Sequence, residues 1–166
     1  LLNRGEPLRE PARRRCRWYQ RAVSAGDWEI DIQLPQGGRR QLLEVPRMGM
    51  LNAHMARLPD LRGVDVLEWS ILLGVQPGIT VHWIDSGVAT GDSLAYVPLS
   101  PAPEDTLASL RERAVLLSVT AIADQVQRGA RGDAATPRQI DTVGPQFFAL
   151  HPRLRARAKA RLASSE

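Results

Sequence analysis

The sequence predicts an α/β fold with a mostly parallel sheet flanked by helices. Two apolar, partly β-branched runs, over 49–54 and 79–84, read as central strands. Segments with helical spacing of apolar residues lie between and after them, over 65–73 and 104–128. At 166 residues the chain is long enough for one ordinary core, and two would be crowded. Strands alternating with helices favour a parallel sheet, whose strand-end loops are where sites usually sit.

The elements follow in order. Over 1–40 no strong element stands out, because Pro7, Pro11 and the run Arg13-Arg14-Arg15 oppose a stable first helix. A short helix over 17–25 and a strand over 28–34 fit, the latter with Trp28, Ile30, Ile32 and Leu34 on one face. Pro35-Gln36-Gly37-Gly38 then breaks the chain. The pattern sharpens from residue 41: 42–45 suits a helical turn before Pro46, and 49–54 a buried strand running into a loop. Asp65 with Glu68 has the form of a capping box, Val66, Trp69 and Leu73 repeat at helical spacing, and Gly74 is a natural stop. Gln76-Pro77-Gly78 turns the chain into the second strand, and 94–99 is a third. A long helix over 104–128 has an acidic start and a stripe of Leu107, Leu110, Ala114, Leu117 and Ala121. A polar connector over 129–144 precedes Phe147 and Phe148, which read as anchors for the tail, and His151-Pro152 opens a last helix over 153–162.

Composition narrows the function classes. Hydrophobic residues at 43% and charged residues at 24% are the usual globular mix, and no apolar run is long enough to cross a bilayer. A single cysteine, Cys16, excludes an intramolecular disulfide and a cysteine-built zinc site, and it fits a reducing, cytoplasmic setting. The start, Leu1-Leu2-Asn3-Arg4-Gly5, lacks a methionine and the order of a secretory signal, so it reads as the cut edge of a longer protein. The formal charge of +4 is carried almost wholly by arginine, Lys159 being the one lysine. Arg13, Arg14, Arg15 and Arg17 form one cluster, and Arg153, Arg155, Arg157 and Arg161 another; the preferred reading is a solvated helix face, and nucleic acid is a disfavoured partner.

The chemistry concentrates in Asn52-Ala53-His54, followed by Leu58-Pro59, Arg62-Gly63 and Asp85-Ser86-Gly87-Val88-Ala89-Thr90-Gly91. An amide, an imidazole and a carboxylate near the ends of two strands suit acyl transfer, where donors hold a developing oxyanion and a base handles protons. Each residue alone has a plain structural reading as a turn or loop group. His82 alternates with Val81 and Trp83 within a strand and reads as structural, and His151 as a helix-start residue.

Together these motifs closely resemble the catalytic core of the folate-dependent formyltransferases, which include methionyl-tRNA formyltransferases and sugar N-formyltransferases. The resemblance covers 42–99 best and extends, less specifically, to 146–152. It implies a Rossmann-like formyltransferase core, with 10-formyltetrahydrofolate as formyl donor and a primary amine as acceptor, a small molecule such as an amino sugar nucleotide. It assigns catalysis to Asn52, His54 and Asp85: Asn52 and a protonated His54 donate to the oxyanion, while Asp85 orients the imidazole and relays a proton through water. It further implies pterin contacts from main chain near Gly38 and Arg39 on one side and Trp83 and Ile84 on the other, with no metal. The expected division is 1–40 as a poorly matching N-terminal remnant, 41–129 as the catalytic core, and 130–166 as a connector and C-terminal helix packing back on it. Three departures stand out: Ala89 replaces the family's usual aspartate, Met55 replaces a common proline or glycine, and few residues precede Asn52. Two alternatives follow, a formyl-folate hydrolase or a catalytically silent fragment.

Overall fold

The computed structural model describes residues 50–85, 87–133 and 144–164. Over these, the elements are β1 (Leu51–His54), β2 (Arg62–Gly63), α1 (Val66–Leu73), β3 (Gly78–Trp83), β4 (Ser93–Pro98), α2 (Leu107–Ala130), β5 (Gln146–Phe147) and α3 (Pro152–Ala163). Leu51–Glu166 groups as one unit. The helix expected over 17–25, the strand over 28–34 and the turn over 42–45 lie outside the described residues.

The fold is α/β as expected, but the mostly parallel sheet is corrected. Among the described residues the larger sheet has the order β1-β3-β4, with both pairings antiparallel, and parallel pairing is confined to β2 with β5. The reason lies in the connections. His54 stands opposite Thr80 and Leu51 opposite Trp83, so the chain leaves β1 and enters β3 at the same end, and α1 is not a crossover helix. Thr80 holds that return in place: its hydroxyl donates to the Ala56 carbonyl (2.6 Å) and accepts the Leu58 N–H (3.1 Å). A short loop then joins β3 to β4, a connection that makes antiparallel neighbours.

β3 is the buried centre. Ile79 and Val81 share a core with Leu67 and Ile71 of α1, Leu107, Leu110 and Ala114 of α2, and Ala158 and Leu162 of α3. The stripe expected on α2 is largely present: Leu107, Leu110, Ala114 and Ala121 are buried and Leu117 is partly so. That helix starts at Leu107, where Thr106 and Ser109 cap each other reciprocally.

Two local expectations are corrected. Asp65 takes a left-handed backbone (φ 52°) and its side chain makes no cap; it accepts from the Leu150 N–H (2.8 Å) and Arg155 (2.7 Å), while Glu68 pairs with Arg111. Tertiary ion pairs thus recruit both acids of the expected capping box. Gly74 does end α1, with φ 72° and its N–H on the Ile71 and Ser70 carbonyls. Of the two anchoring phenylalanines only Phe147 acts through its ring, tilted against Trp69 with centroids 4.9 Å apart. Phe148 is exposed and contributes its carbonyl to the Trp69 Nε1–H (2.9 Å). α3 begins as expected, its His151 Nδ1 accepting the Arg153 N–H (3.2 Å). Part of its charge serves the fold: Arg155 pairs with Asp65 and Arg161 donates to the Leu72 carbonyl.

Candidate active site

Side chains alternate across a strand, so the Asn-x-His step puts Asn52 and His54 on one face of β1. Asn52 stands opposite His82 and His54 opposite Thr80, and opposed residues of an antiparallel pair share a face. A polar quartet therefore lies on the face of the sheet away from Ile79 and Val81. Three of its members, His54, Thr80 and His82, are buried.

The hydrogen bonds assign the tautomers. His54 Nε2 lies 2.8 Å from the Leu61 carbonyl, which can only accept, so Nε2 carries the proton and the neutral ring keeps its lone pair on Nδ1. His82 Nδ1 lies 2.7 Å from the Trp83 carbonyl and is protonated for the same reason. Its Nε2 is then an acceptor, and Asn52 Nδ2–H donates to it at 3.2 Å. The two imidazoles meet edge to face, with centroids 6.3 Å apart. Asn52 retains one N–H beyond the bond to His82.

Burial pushes the His54 pKa down from 6.5 to about 4; the bond to Leu61 opposes this, and His82 and Arg62 add to it. Near neutral pH the imidazole is uncharged. In that state the ring offers an acceptor at Nδ1, in place of the charge-assisted donor expected from the resemblance. Burial also lowers the His82 pKa, while its bond to the Trp83 carbonyl and the Asp85 carboxylate favour the proton.

Asp85 does not join this pair as expected. Its Oδ1 accepts the Gly87 N–H (2.9 Å), and both its oxygens accept from the Thr90 hydroxyl (2.6 and 2.8 Å). A short carboxylate beside a glycine turn satisfies its own loop, and these are its hydrogen bonds among the described residues. Ala89, in the same loop, has a left-handed backbone (φ 51°), a conformation enriched in Asp and Asn. Gly91 packs so tightly that a Cβ there would lie 1.9 Å from the Trp83 carbonyl oxygen.

Trp83 and Ile84 are both half-buried as β3 ends. The Trp83 main chain is engaged internally, its N–H on the Asp92 carbonyl (2.9 Å) and its carbonyl on His82. Gly38 and Arg39 lie outside the described residues. Asn52 thus offers a donor and His54 an acceptor on one face of β1.

Around this pair, Thr80 has no site signal in the sequence, while His82 reads there as structural and Arg62 only as part of a turn. His82 and Thr80 are the polar members of β3 with the same parity, a visible signal once β3 is known to pair antiparallel with β1. Arg62 is buried, with Nε on the Gly144 carbonyl (2.8 Å) and an Nη on the Val88 carbonyl (3.0 Å). It fastens the 87–91 loop beside His54, and only its place before Gly63 hinted at a role.

The sequence profile described as formyl transferase matches residues 39–126, more than half of the chain. The chain belongs to the formyl transferase family. The family read from the sequence is thus borne out. A methionyl-tRNA formyltransferase of Geobacter metallireducens is 34% identical over 111 residues, covering 66% of this chain and 34% of that protein. One from Burkholderia multivorans is 34% identical over 115 residues, covering 68% and 34%. The chain thus spans about a third of the length of these curated relatives. Among solved structures, the formyltransferase PseJ from Anoxybacillus kamchatkensis, in complex with UDP-4,6-dideoxy-4-formamido-L-AltNAc and tetrahydrofolate, aligns with a TM-score of 0.55 at 26% identity, over 64% of this chain and 56% of PseJ. A 4-N formyltransferase from Francisella tularensis aligns with a TM-score of 0.59 at 14% identity, over 80% and 57%, a likeness of fold. This chain shares a formyltransferase-like α/β architecture with both solved structures.

Proposed function

We propose that this chain transfers a formyl group from 10-formyltetrahydrofolate to a primary amine on a small molecule, such as an amino sugar nucleotide. The observation that carries the reading is the pair on β1: a carboxamide with one N–H to spare and a neutral imidazole with a free Nδ1 lone pair, side by side on one sheet face. The folate supplies an activated formyl group when bound. The Asn52 N–H would then meet the negative charge that develops on the formyl oxygen, and His54 Nδ1 would accept the proton the amine loses as its bond to the formyl carbon forms; that proton would pass to N10 as the carbon–N10 bond breaks and tetrahydrofolate leaves. Asp85 acts at one remove, by holding the 85–91 loop. Half-buried Trp83 and Ile84 supply one wall of the folate site. Sequence likeness to PseJ, whose complex holds a sugar nucleotide, supports a small acceptor.

A second reading, a catalytically weakened or silent member, draws on two observations. Asp85 is committed to its own turn, and Ala89 stands where the family usually carries an aspartate. One experiment separates the readings: release of tetrahydrofolate from 10-formyltetrahydrofolate, with and without amino sugar nucleotides or methionyl-tRNA, by the wild type and Asn52→Ala. Amine-dependent release that falls on the order of 100- to 1000-fold in Asn52→Ala supports the transferase. Release that ignores the amine marks a hydrolase, and the absence of both release and folate-analogue binding by calorimetry marks the silent member. Near wild-type turnover in Asn52→Ala overturns the mechanism.

A further inference from the structure

We propose that His82 is a positioning residue for this site: its Nε2 fixes which way round the Asn52 carboxamide sits, and so aims the N–H that acts on the formyl oxygen. The rate consequence rests on the proposed transferase reading; the orientation itself does not.

A carboxamide is nearly the same shape after a half-turn that exchanges its oxygen and its NH2. Only a neighbour that distinguishes donor from acceptor can choose between the two. Turned one way, Asn52 offers an N–H to an incoming carbonyl oxygen; turned the other way, it offers a second oxygen, and the contact becomes repulsive. Among the described residues, His82 Nε2 is the hydrogen-bonding partner of that amide, at 3.2 Å. His82 can make the choice because its own tautomer is set from the other side. The Trp83 carbonyl, 2.7 Å from Nδ1, accepts the ring proton and leaves Nε2 bare.

The chain of control continues into the loop. The Trp83 N–H is held by the Asp92 carbonyl at 2.9 Å, and Gly91 packs against the Trp83 carbonyl with no room for a Cβ. The 91–92 turn therefore sets Trp83, Trp83 sets His82, and His82 sets Asn52. His82 is only 2% exposed, so water does not replace this contact freely. A histidine kept merely to fill β3 has no need to meet the one residue across the register whose amide is proposed to donate.

The test uses the full chain and two independent readouts. Two-bond 1H–15N correlation spectra at neutral pH should show His82 protonated at Nδ1 and bare at Nε2, with one Asn52 amide proton shifted by that contact. A His82 protonated at Nε2 overturns the proposal whether or not the chain turns over. In turnover, His82→Leu should lower kcat on the order of 100-fold while KM for 10-formyltetrahydrofolate changes little, and His82→Gln, which returns an acceptor, should recover most of the loss. Placed in Asn52→Ala, His82→Leu should add almost nothing, since both act through one donor. Full additivity, or a kcat that His82→Leu leaves intact, overturns the proposal. Should His82→Leu fail to fold, the spectra of the unaltered chain and the kinetics of His82→Gln decide it.

Discussion

Acidification from pH 7 to pH 4 should cost this fold about 3 kcal/mol through His54 alone. In the folded chain, burial holds the imidazole pKa at about 4, against 6.5 for the ordinary group. In that window the unfolded chain takes up a proton that the folded one refuses, and proton uptake by the unfolded state lowers stability. The contribution is therefore intact above pH about 6.5, declines as the pH falls, and levels off below about 4. The full gap of about two and a half pH units, at about 1.4 kcal/mol each, is worth about 3.5 kcal/mol, of which about 3 falls between pH 7 and pH 4 because the folded imidazole is half protonated at the lower limit. That is a substantial share of the roughly 5–15 kcal/mol that holds a domain together. The control is His54→Gln, whose terminal amide reaches the place of Nε2, keeps a donor for the Leu61 carbonyl and cannot titrate. Urea unfolding followed by circular dichroism between pH 4 and 8 measures both proteins. His82 and the carboxylates act in each, so the difference between the curves isolates His54. The wild type should lose about 3 kcal/mol more than the variant across the window. Curves that stay parallel within about 0.5 kcal/mol, or a His54 proton resonance titrating near 6.5, would refute the assignment of a buried neutral imidazole.

Thr80→Val keeps the shape of a buried residue but leaves the Ala56 carbonyl and the Leu58 N–H unpaired. It should lower the urea unfolding free energy by about 2–4 kcal/mol, and Thr80→Ser should recover more than half of that; a loss under about 0.5 kcal/mol in the valine variant contradicts the clamp. Ala89→Asp places a residue that tolerates a left-handed backbone at φ 51°. Stability should hold within about 0.5 kcal/mol, and turnover should rise if a missing carboxylate limits it; thermal melts and single-turnover kinetics check both, and unchanged turnover removes the case for a weakened member.

Legibility followed the range of the forces involved. Gly74 as a helix stop, His151-Pro152 as a helix start and the α2 stripe were readable because each depends on residues within a turn or two. The Asp65–Glu68 capping box was a sound local signal that distant partners overrode. Arg155 and the Leu150 N–H lie some ninety positions away from Asp65, and no local pattern contains them. Strand pairing was misjudged for a related reason. Alternation of strands and helices states that connections exist, but the Thr80 clamp on the loop after His54 decides which end of the sheet the chain returns to.

For the site, the family and the candidate pair Asn52 and His54 were legible in the sequence. The Asn-x-His step needs only strand periodicity to place both groups on one face, and the motif residues are close together in the chain. Tertiary structure alone decided the states and partners of those groups. It buried His54 and so made it a neutral acceptor, turned Asp85 into its own loop, and brought His82 across the sheet to Asn52. Periodicity is a local property that composition can carry. Solvation and the donor or acceptor character of a neighbour thirty residues away exist only once the strands have paired.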